Sequence, residues 1–284
     1  MNEHPVDWSA IADAHEQLLS HPHLEAGFVR FRQDLARAYA RVTAAIREVG
    51  AVASVPLDGA PILPLGPAQV PLDRSLVESL FRDVRTSLAA HGAEGAEVQR
   101  LAEAVEEEPD LTLRVLRWAV FDWDGPEIKE VARRLEVPYV GLLLLGRLLA
   151  APFLHEVARG VVSDLPDASE STGTCPCCGA PPGLARLTAS EGSRVLACTL
   201  CGTRWAYPRL KCAFCGNTDQ DTLAVLLAED EKAHRIEVCE TCKRYLKTVD
   251  ERVLGGECMP FLEETRTLPL DLLAEREGYV RRLY

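Results

Sequence analysis

The sequence predicts an α+β multidomain protein, in which an all-α N-terminal helical domain is followed by two tandem four-cysteine modules of the rubredoxin-like or zinc-ribbon type. Two observations lead to this prediction. Over the first 160 residues, apolar side chains recur at steps of three and four without strand-like alternation, which is typical of packed helices. Nine of the ten cysteines then lie within residues 174–247, and eight of them form close pairs separated by short hairpin-like segments.

The helices are predicted from apolar spacing and from the proline, glycine and capping residues at their ends. Asp73 is placed to cap a helix directly after the proline-rich segment 51–72, which we expect to be an irregular loop. The most apolar run, 139–154, is short for a bilayer span and contains Arg147, so we expect a buried helix. The expected helices are 6–20, 23–49, one beginning after Asp73, 95–107, 110–121, 126–136 and 138–159.

Composition shifts divide the chain into three parts. The helical domain is expected over 1–165, and the polar segment 163–174 reads as a linker. The metal-binding modules follow over 174–250, with one module at 174–210 and the other at 211–250. The remaining residues, 251–284, are expected to form a tail with one short helix at 269–279.

Eight cysteines form four Cys-x-x-Cys pairs. Two residues between the thiols allow a tight turn to direct both sulfurs toward one ion, and two pairs complete a tetrahedral thiolate site for zinc or iron. Glycine follows the second cysteine in three pairs, where a positive φ would turn backbone N–H groups toward the sulfurs. The predicted metal ligands are Cys175, Cys178, Cys198, Cys201, Cys212, Cys215, Cys239 and Cys242.

Two strand-like runs lie between the first and second pairs and two more between the third and fourth. Strands are expected at 184–188, 194–197, 203–207, 222–228, 235–238 and 244–249. A hairpin brings its two ends together, so we expect neighbouring pairs to share an ion, giving two metal ions per chain. An interleaved cross-brace is the alternative, and the cysteines alone do not decide between iron and zinc.

Two further cysteines and two histidines are candidate site residues. Cys177 lies between two predicted ligands, and three interpretations are open: a spare ligand, a redox thiol or a small buried side chain. The isolated Cys258 is expected to be a core residue. His155 begins a segment resembling a zinc-protease helix, but the second histidine is replaced by Arg159, so a surface turn is expected. His234, on a predicted strand, is expected to be solvated.

The charge distribution argues against general nucleic-acid binding. The net charge is −12, and residues 1–173 carry 16 basic and 27 acidic side chains, whereas 174–250 carry 10 and 9. Attraction to phosphates needs a net positive surface. The first residues have no continuous apolar core of the signal-peptide kind, so we expect a cytoplasmic protein without membrane insertion, whose cysteines hold metal rather than disulfides. No feature indicates an oligomeric state.

A group of basic and aromatic residues surrounds the cysteine pairs. Four thiolates on a divalent ion leave a charge of −2, which nearby cations offset, so a structural role is one interpretation. The other is a partner-binding surface, which we expect to lie where the two halves of the chain meet. The candidates are Arg204, Trp205, Arg209, Lys211, Lys243, Arg244 and Lys247.

Over residues 175–280 the sequence resembles the FdhE family, accessory proteins for the assembly of formate dehydrogenases. The extra Cys177 departs from the family pattern. The matching segments are Cys175-Pro-Cys-Cys178-Gly with Pro182, Cys198-Thr-Leu-Cys201 followed by Trp205 and Arg209, Cys212-Ala-Phe-Cys215-Gly, Cys239-Glu-Thr-Cys242-Lys-Arg-Tyr245-Leu-Lys247 and Asp271-Leu-Leu-Ala-Glu-Arg-Glu-Gly278-Tyr279.

The resemblance implies a cytoplasmic, chaperone-like maturation factor that binds the catalytic subunit of formate dehydrogenase. It also implies a helical domain with two rubredoxin-like modules that hold iron or zinc. The residues themselves indicate no catalytic site, so an enzyme is not expected. Two alternatives remain, a rubredoxin-like redox protein and a zinc-ribbon nucleic-acid-binding protein.

Overall fold

Helices fill the amino-terminal half of the computed structural model. The structure describes residues 6–49, 66–67, 70–92, 95–161, 172–228 and 231–281. A 3-10 turn at Glu16–Ser20 follows the first helix. In the described part of this half the α-helices are α1 Trp8–His15, α2 Ala26–Val49, α3 Arg74–Ala90, α4 Ala96–Glu107, α5 Leu111–Phe121, α6 Pro126–Arg134 and α7 Tyr139–Val161.

The helical prediction is confirmed, and local signals account for several of the ends. Asp73 caps α3 by accepting a hydrogen bond from the Leu76 amide at 3.0 Å. Asp7 caps α1 in the same way, and the predicted helix over 6–20 is divided between α1 and the 3-10 turn. Most of the predicted loop 51–72 and of the linker 163–174 lies outside the described residues.

The apolar helix α7 lies in the middle of the helical half. Its segment Tyr139–Gly160 is long and apolar enough for a membrane span by length and composition, with a mean hydropathy of 1.5, yet 67% of the tested window is buried within the protein. Gly146 permits close packing on α5, since a Cβ there would lie 2.5 Å from the Cβ of Ala119. The burial matches the prediction of a core helix.

A six-stranded sheet carries the cysteine-rich segment. Its order is β3-β2-β1-β6-β5-β4, and each of the two three-stranded halves is antiparallel. The central β1 and β6 are parallel, so the two predicted modules share one continuous sheet. The strands are β1 Leu184–Leu187, β2 Arg194–Ala197, β3 Arg204–Ala206, β4 Leu223–Leu226, β5 His234–Cys239 and β6 Arg244–Asp250.

The carboxyl-terminal tail contains more structure than the single predicted helix. Its helices are α8 Glu251–Leu254, α9 Pro260–Arg266 and α10 Leu268–Arg276, so the predicted helix over 269–279 begins one residue earlier and ends sooner. Leu270 and Ala274 of α10 pack on β5 and β6. The Nε2 atom of His15 on α1 lies 3.1 Å from Thr265 Oγ1 on α9. The tail therefore contacts both the sheet and the helical half.

One hydrophobic core extends from the helices into the first half of the sheet. Trp8 lies between Tyr39 and His155, and all three are buried. The same core contains Trp205 and the cysteines of the first two pairs. The first four-cysteine module is therefore packed directly against the helices, and its four paired cysteines lie at the boundary between the two halves.

Candidate metal centres

Each Cys-x-x-Cys pair lies in a tight turn of the same form. In all four, the amide of the residue after the second cysteine donates to the carbonyl of the first, at 2.8 to 3.0 Å. Gly179, Gly202 and Gly216 adopt positive φ at this position, as the sequence predicted. Lys243 takes the same place in the fourth turn with φ of 53°. This conformation could have been predicted from the sequence, because Lys243 follows Cys242 as the glycines follow the second cysteines of the other pairs.

Neighbouring pairs come together, which confirms the predicted pairing and excludes the cross-brace. Within each group the four sulfurs lie within 4.8 Å of one another. Cluster 1 is Cys175, Cys178, Cys198 and Cys201, and cluster 2 is Cys212, Cys215, Cys239 and Cys242.

The sulfur spacing fits a tetrahedral thiolate site. In cluster 1 the Sγ atoms of Cys178 and Cys198 are 3.5 Å apart, and in cluster 2 those of Cys215 and Cys239 are 3.8 Å apart. Metal–sulfur bonds of about 2.3 Å in a regular tetrahedron place the sulfurs about 3.8 Å apart. Both clusters could therefore hold a metal ion through four thiolates, and the geometry suits zinc and iron alike.

The two clusters differ in their exposure. All four cysteines of cluster 1 are buried, whereas in cluster 2 Cys215 is exposed and Cys242 is half-buried. Burial raises the pKa of the Cys175 thiol, because a thiolate there loses its hydration. Burial would also raise the pKa of Cys239, but hydrogen bonds from the Cys242 and Thr241 amides contribute to lowering it to about 7. Cluster 2 is thus the more accessible of the two.

Nearby donors are directed at the sulfurs. The Thr203 hydroxyl lies 3.1 Å from Cys201 Sγ in cluster 1. In cluster 2 the Phe214 amide donates to Cys212 Sγ at 3.4 Å, and the Asn217 side-chain amide donates to Cys239 Sγ at 3.7 Å. Such donors stabilise thiolate charge and tune a bound metal.

Cys177 and Cys258 lie outside both sulfur groups. Cys177 is 1% exposed, and its pKa is raised chiefly by its hydrogen bond with Cys201. The structure therefore groups Cys175 and Cys178, rather than Cys177, with the second pair. Cys258 is buried in a small cluster with Leu184 and Val249, as expected for a core cysteine.

The predictions for two histidines were wrong. His155 is buried on α7 against the aromatic ring of Trp8, and burial lowers its pKa to about 4. His234 is buried with its ring nitrogens 2.7 Å from carboxylate oxygens of Glu231 and Glu263. Burial acts to lower the pKa of His234, yet the two carboxylates raise it overall. Both positions depend on contacts distant in sequence, which periodicity does not show.

Two of the seven predicted partner-binding residues are internal. Trp205 is 4% exposed, and its indole N–H donates to the Thr172 carbonyl at 3.0 Å. Lys247 is 1% exposed, and its Nζ lies 2.8 Å from Asp271 Oδ2. Neither side chain is available to a partner, because both are buried and their polar groups bond within the chain.

Three of the others lie together in a basic depression of about 230 Å³ beside cluster 2, namely Arg209, Lys211 and Arg244. Within the described residues none of these three forms an ion pair. Arg209 donates to the Gly192 carbonyl, and Lys211 lies over the ring of Tyr207. Arg204 instead contacts Glu257, and Lys243 pairs with Glu240.

Helices packed on a sheet that carries two tetrathiolate clusters define a protein with a tandem four-cysteine module. Two family models match this part of the chain, the FdhE central domain over 174–209 and the FdhE C-terminal domain over 210–284. Residues 174–284 therefore match the FdhE family in both of these domains.

Curated relatives and a solved structure with similarity to this chain are also FdhE proteins. The chain is 34% identical to an FdhE homolog of Aquifex aeolicus over 38% of each chain. It is 31% identical to an FdhE homolog of Pseudomonas aeruginosa over 68% of this chain and 60% of the relative. The crystal structure of an FdhE protein from Pseudomonas aeruginosa matches 99% of this chain and 96% of its own, with a TM-score of 0.63 and 22% identity.

The two kinds of similarity differ in extent. The matched segments span less than two thirds of the length of these curated relatives, between 38% and 60%. The structural match covers the helical half as well, and at 22% identity it establishes the shared fold.

Proposed function

We propose that this protein is a cytoplasmic accessory protein that binds the catalytic subunit of formate dehydrogenase and is needed for its assembly or activity. The match of residues 174–284 to both FdhE domains supports this proposal, and that segment includes both four-cysteine clusters. We also propose that the helical domain over 1–165 and the modules over 174–250 act as one body, since a shared core joins them.

The metal ions have a structural role in this proposal. In each cluster four thiolates on one ion would hold two Cys-x-x-Cys turns together, so bound metal would contribute to the stability of each module. The eight cysteines of the two clusters are the ligands we propose, and the protein has no catalytic step of its own.

The basic depression is the proposed contact surface for the catalytic subunit. Its three cations without an ion pair can meet carboxylates of a partner, and partner charges of this kind steer association. The same cations lie close to cluster 2 and offset its thiolate charge, so the two roles are compatible.

A charge-reversal experiment tests this proposal. Purified catalytic subunit is titrated against the full-length, metal-loaded protein, the double variant Arg209→Glu/Lys211→Glu and a control Lys232→Glu/Arg276→Glu. The control changes the net charge equally at exposed positions outside the depression. We expect the first variant to bind at least about tenfold more weakly while retaining two metal ions. A wild-type protein that does not bind the subunit contradicts the function, whereas equal binding by the variant contradicts only the surface.

A redox role is the second candidate, because the exposed Cys215 brings an edge of cluster 2 to the surface. An iron ion held there would supply one-electron chemistry. The visible spectrum of the purified protein, recorded before and after a mild reductant, tests this role. A colourless protein containing only zinc would rule it out.

A further inference from the structure

A cleft lies where the helical half meets the first four-cysteine module. Its volume is about 350 Å³, and α1, α2 and α7 form one side. The opposite side comes from the segments 181–183 and 199–200 of the first module and from the tail. We call it the junction cleft. Its size lies in the range of ligand-binding pockets.

The junction cleft contains a cation, Arg32, that forms no ion pair with a carboxylate of the described residues. Arg32 on α2 lines it and donates to Thr265 Oγ1 at 3.1 Å and to the Phe261 carbonyl at 3.3 Å. Both acceptors are neutral, and among the described residues no carboxylate oxygen lies within 4 Å of Arg32. Burial lowers the pKa of Arg32, and the charge of the Glu264 carboxylate in the same cleft offsets this cost only in part.

The carboxylate that lines the cleft is already paired. Glu264 contacts the guanidinium of Arg281, and Glu264 Oε1 lies 3.8 Å from Nζ of Lys247. Arg281 and Arg147 line the cleft as well, so its charged wall is predominantly basic. An anionic group entering the cleft would meet Arg32 in a place where water is partly excluded, and such pairs are stronger than those on an open surface.

An apolar groove adjoins the junction cleft. It has a volume of about 290 Å³ and lies among α2, α3, α4 and α7, with Phe81, Val84 and Leu101 in its walls. Phe31, Leu144 and Leu148 line both cavities. Leu144 is 44% exposed although it stands on the most apolar helix. The two cavities therefore place a basic wall and an apolar wall side by side.

We propose that the junction cleft and the apolar groove together bind a short extended segment of the partner protein, one that carries a carboxylate beside a bulky apolar side chain. The carboxylate pairs with Arg32, and the apolar side chain packs against Leu144 in the groove. The charge of Arg32 favours an acidic segment. Because the two cavities share a wall, one ligand can place its carboxylate in the cleft and its apolar side chain in the groove. This inference rests on the proposed function and adds a second contact, separate from the basic depression.

Two matched pairs of variants test it in the full-length, metal-loaded protein. Leu144→Glu places a like charge at the shared wall without removing a buried contact, and its control is Val140→Glu. Val140 is 47% exposed one turn earlier on α7 and lines neither cavity. Arg32→Gln removes the cation, and Arg30→Gln removes a similar charge at an exposed position of α2.

The probes are the intact catalytic subunit of formate dehydrogenase and overlapping short peptides that cover its sequence. We expect peptides with Asp or Glu beside a large apolar residue to bind the wild-type protein. Leu144→Glu and Arg32→Gln should bind these peptides at least about tenfold more weakly, and both controls should bind as the wild type does. If Arg32→Gln fails to fold, Leu144→Glu carries the test.

The outcomes separate the two proposals. If the wild type, Leu144→Glu and Arg32→Gln bind the intact subunit equally, the proposed binding site in the cleft is wrong and the proposed function is not affected. Peptides selected without regard to acidic residues also overturn the cleft. A wild-type protein that binds neither the subunit nor any peptide overturns both.

Discussion

His155 and Gly202 lie in contact across the boundary between the helical half and the first four-cysteine module. A Cβ added to Gly202 would come within 2.3 Å of His155 Cε1 and 2.7 Å of its Nδ1. Gly202 also has a φ of +77° and follows Cys201 of cluster 1. One glycine thus serves both the cysteine turn and the packing of the module on α7.

This contact predicts a difference between two glycine substitutions. Gly216 occupies the equivalent place in cluster 2 with φ of +73°, but the nearest atom to an added Cβ there is Lys211 Cε at 3.8 Å. Gly216→Ala should cost only the left-handed backbone conformation, about 1–2 kcal/mol. Gly202→Ala should cost at least about 1 kcal/mol more, because His155 must move. Urea unfolding of both metal-loaded variants measures this, and equal losses would contradict the packing role.

The unequal exposure of the clusters predicts the order of metal loss. A chelator should remove the ion of cluster 2 first, because Cys215 is exposed and Cys242 half-buried, whereas cluster 1 is buried. The free energy of metal binding, of the order of 10–16 kcal/mol in zinc-finger peptides, is largely folding energy for such modules. Hydrogen exchange during chelation should therefore rise in 212–242 before 175–201, while α2 and α7 stay protected. Simultaneous loss from both clusters would contradict this order.

Cys177 and Cys178 provide a matched test of the ligands. Cys178→Ser removes a sulfur that lies 3.5 Å from Cys198 Sγ, so we expect one metal ion per chain instead of two. Cys177→Ser changes a buried neighbour outside the sulfur group, and two ions should remain. Elemental analysis of the purified variants gives both counts. A single ion in Cys177→Ser would show that Cys177 is a ligand.

The burial of His15 is expected to make the folded state less stable at acidic pH. Burial lowers the pKa of His15 from 6.5 to about 4, and its Nδ1 lies 2.7 Å from the Ile11 carbonyl. Between pH 6.5 and 4 the unfolded chain protonates His15 while the folded chain does not, so the free energy of unfolding falls as the pH falls through this range. The maximum contribution is about 3 kcal/mol.

The measurement compares His15→Gln with the wild type in unfolding experiments between pH 7 and 4. We expect the variant to be less stable at pH 7 and to lose less stability on acidification. His23→Gln makes the same change at an exposed position and should follow the wild type. Parallel pH profiles for His15→Gln and the wild type would show that His15 does not titrate with folding.

Local patterns were sufficient for the helices of the amino-terminal half, for the strands and for the two clusters, but not for α8 and α9. Short-range rules govern Asp73 at the start of α3 and glycine after the second cysteine of three pairs, so the printed residues reveal them. The grouping of neighbouring Cys-x-x-Cys pairs followed because a hairpin returns its own ends to one place. The glycine rule does not cover the fourth turn. Lys243 also has a positive φ there, and only its position after Cys242 indicates this conformation.

The sequence by itself determined the helical half, the hairpins and two four-sulfur groups, because each depends on residues within one turn or one hairpin. Tertiary structure alone decided that β1 and β6 join the two modules into one sheet, that His155 and His234 are buried, and that α10 packs on β5 and β6. These features depend on contacts between residues far apart in the chain, such as Lys247 with Asp271 and Arg32 with Phe261. Local periodicity carries no information about such contacts, because many distant partners satisfy the same apolar or charged pattern.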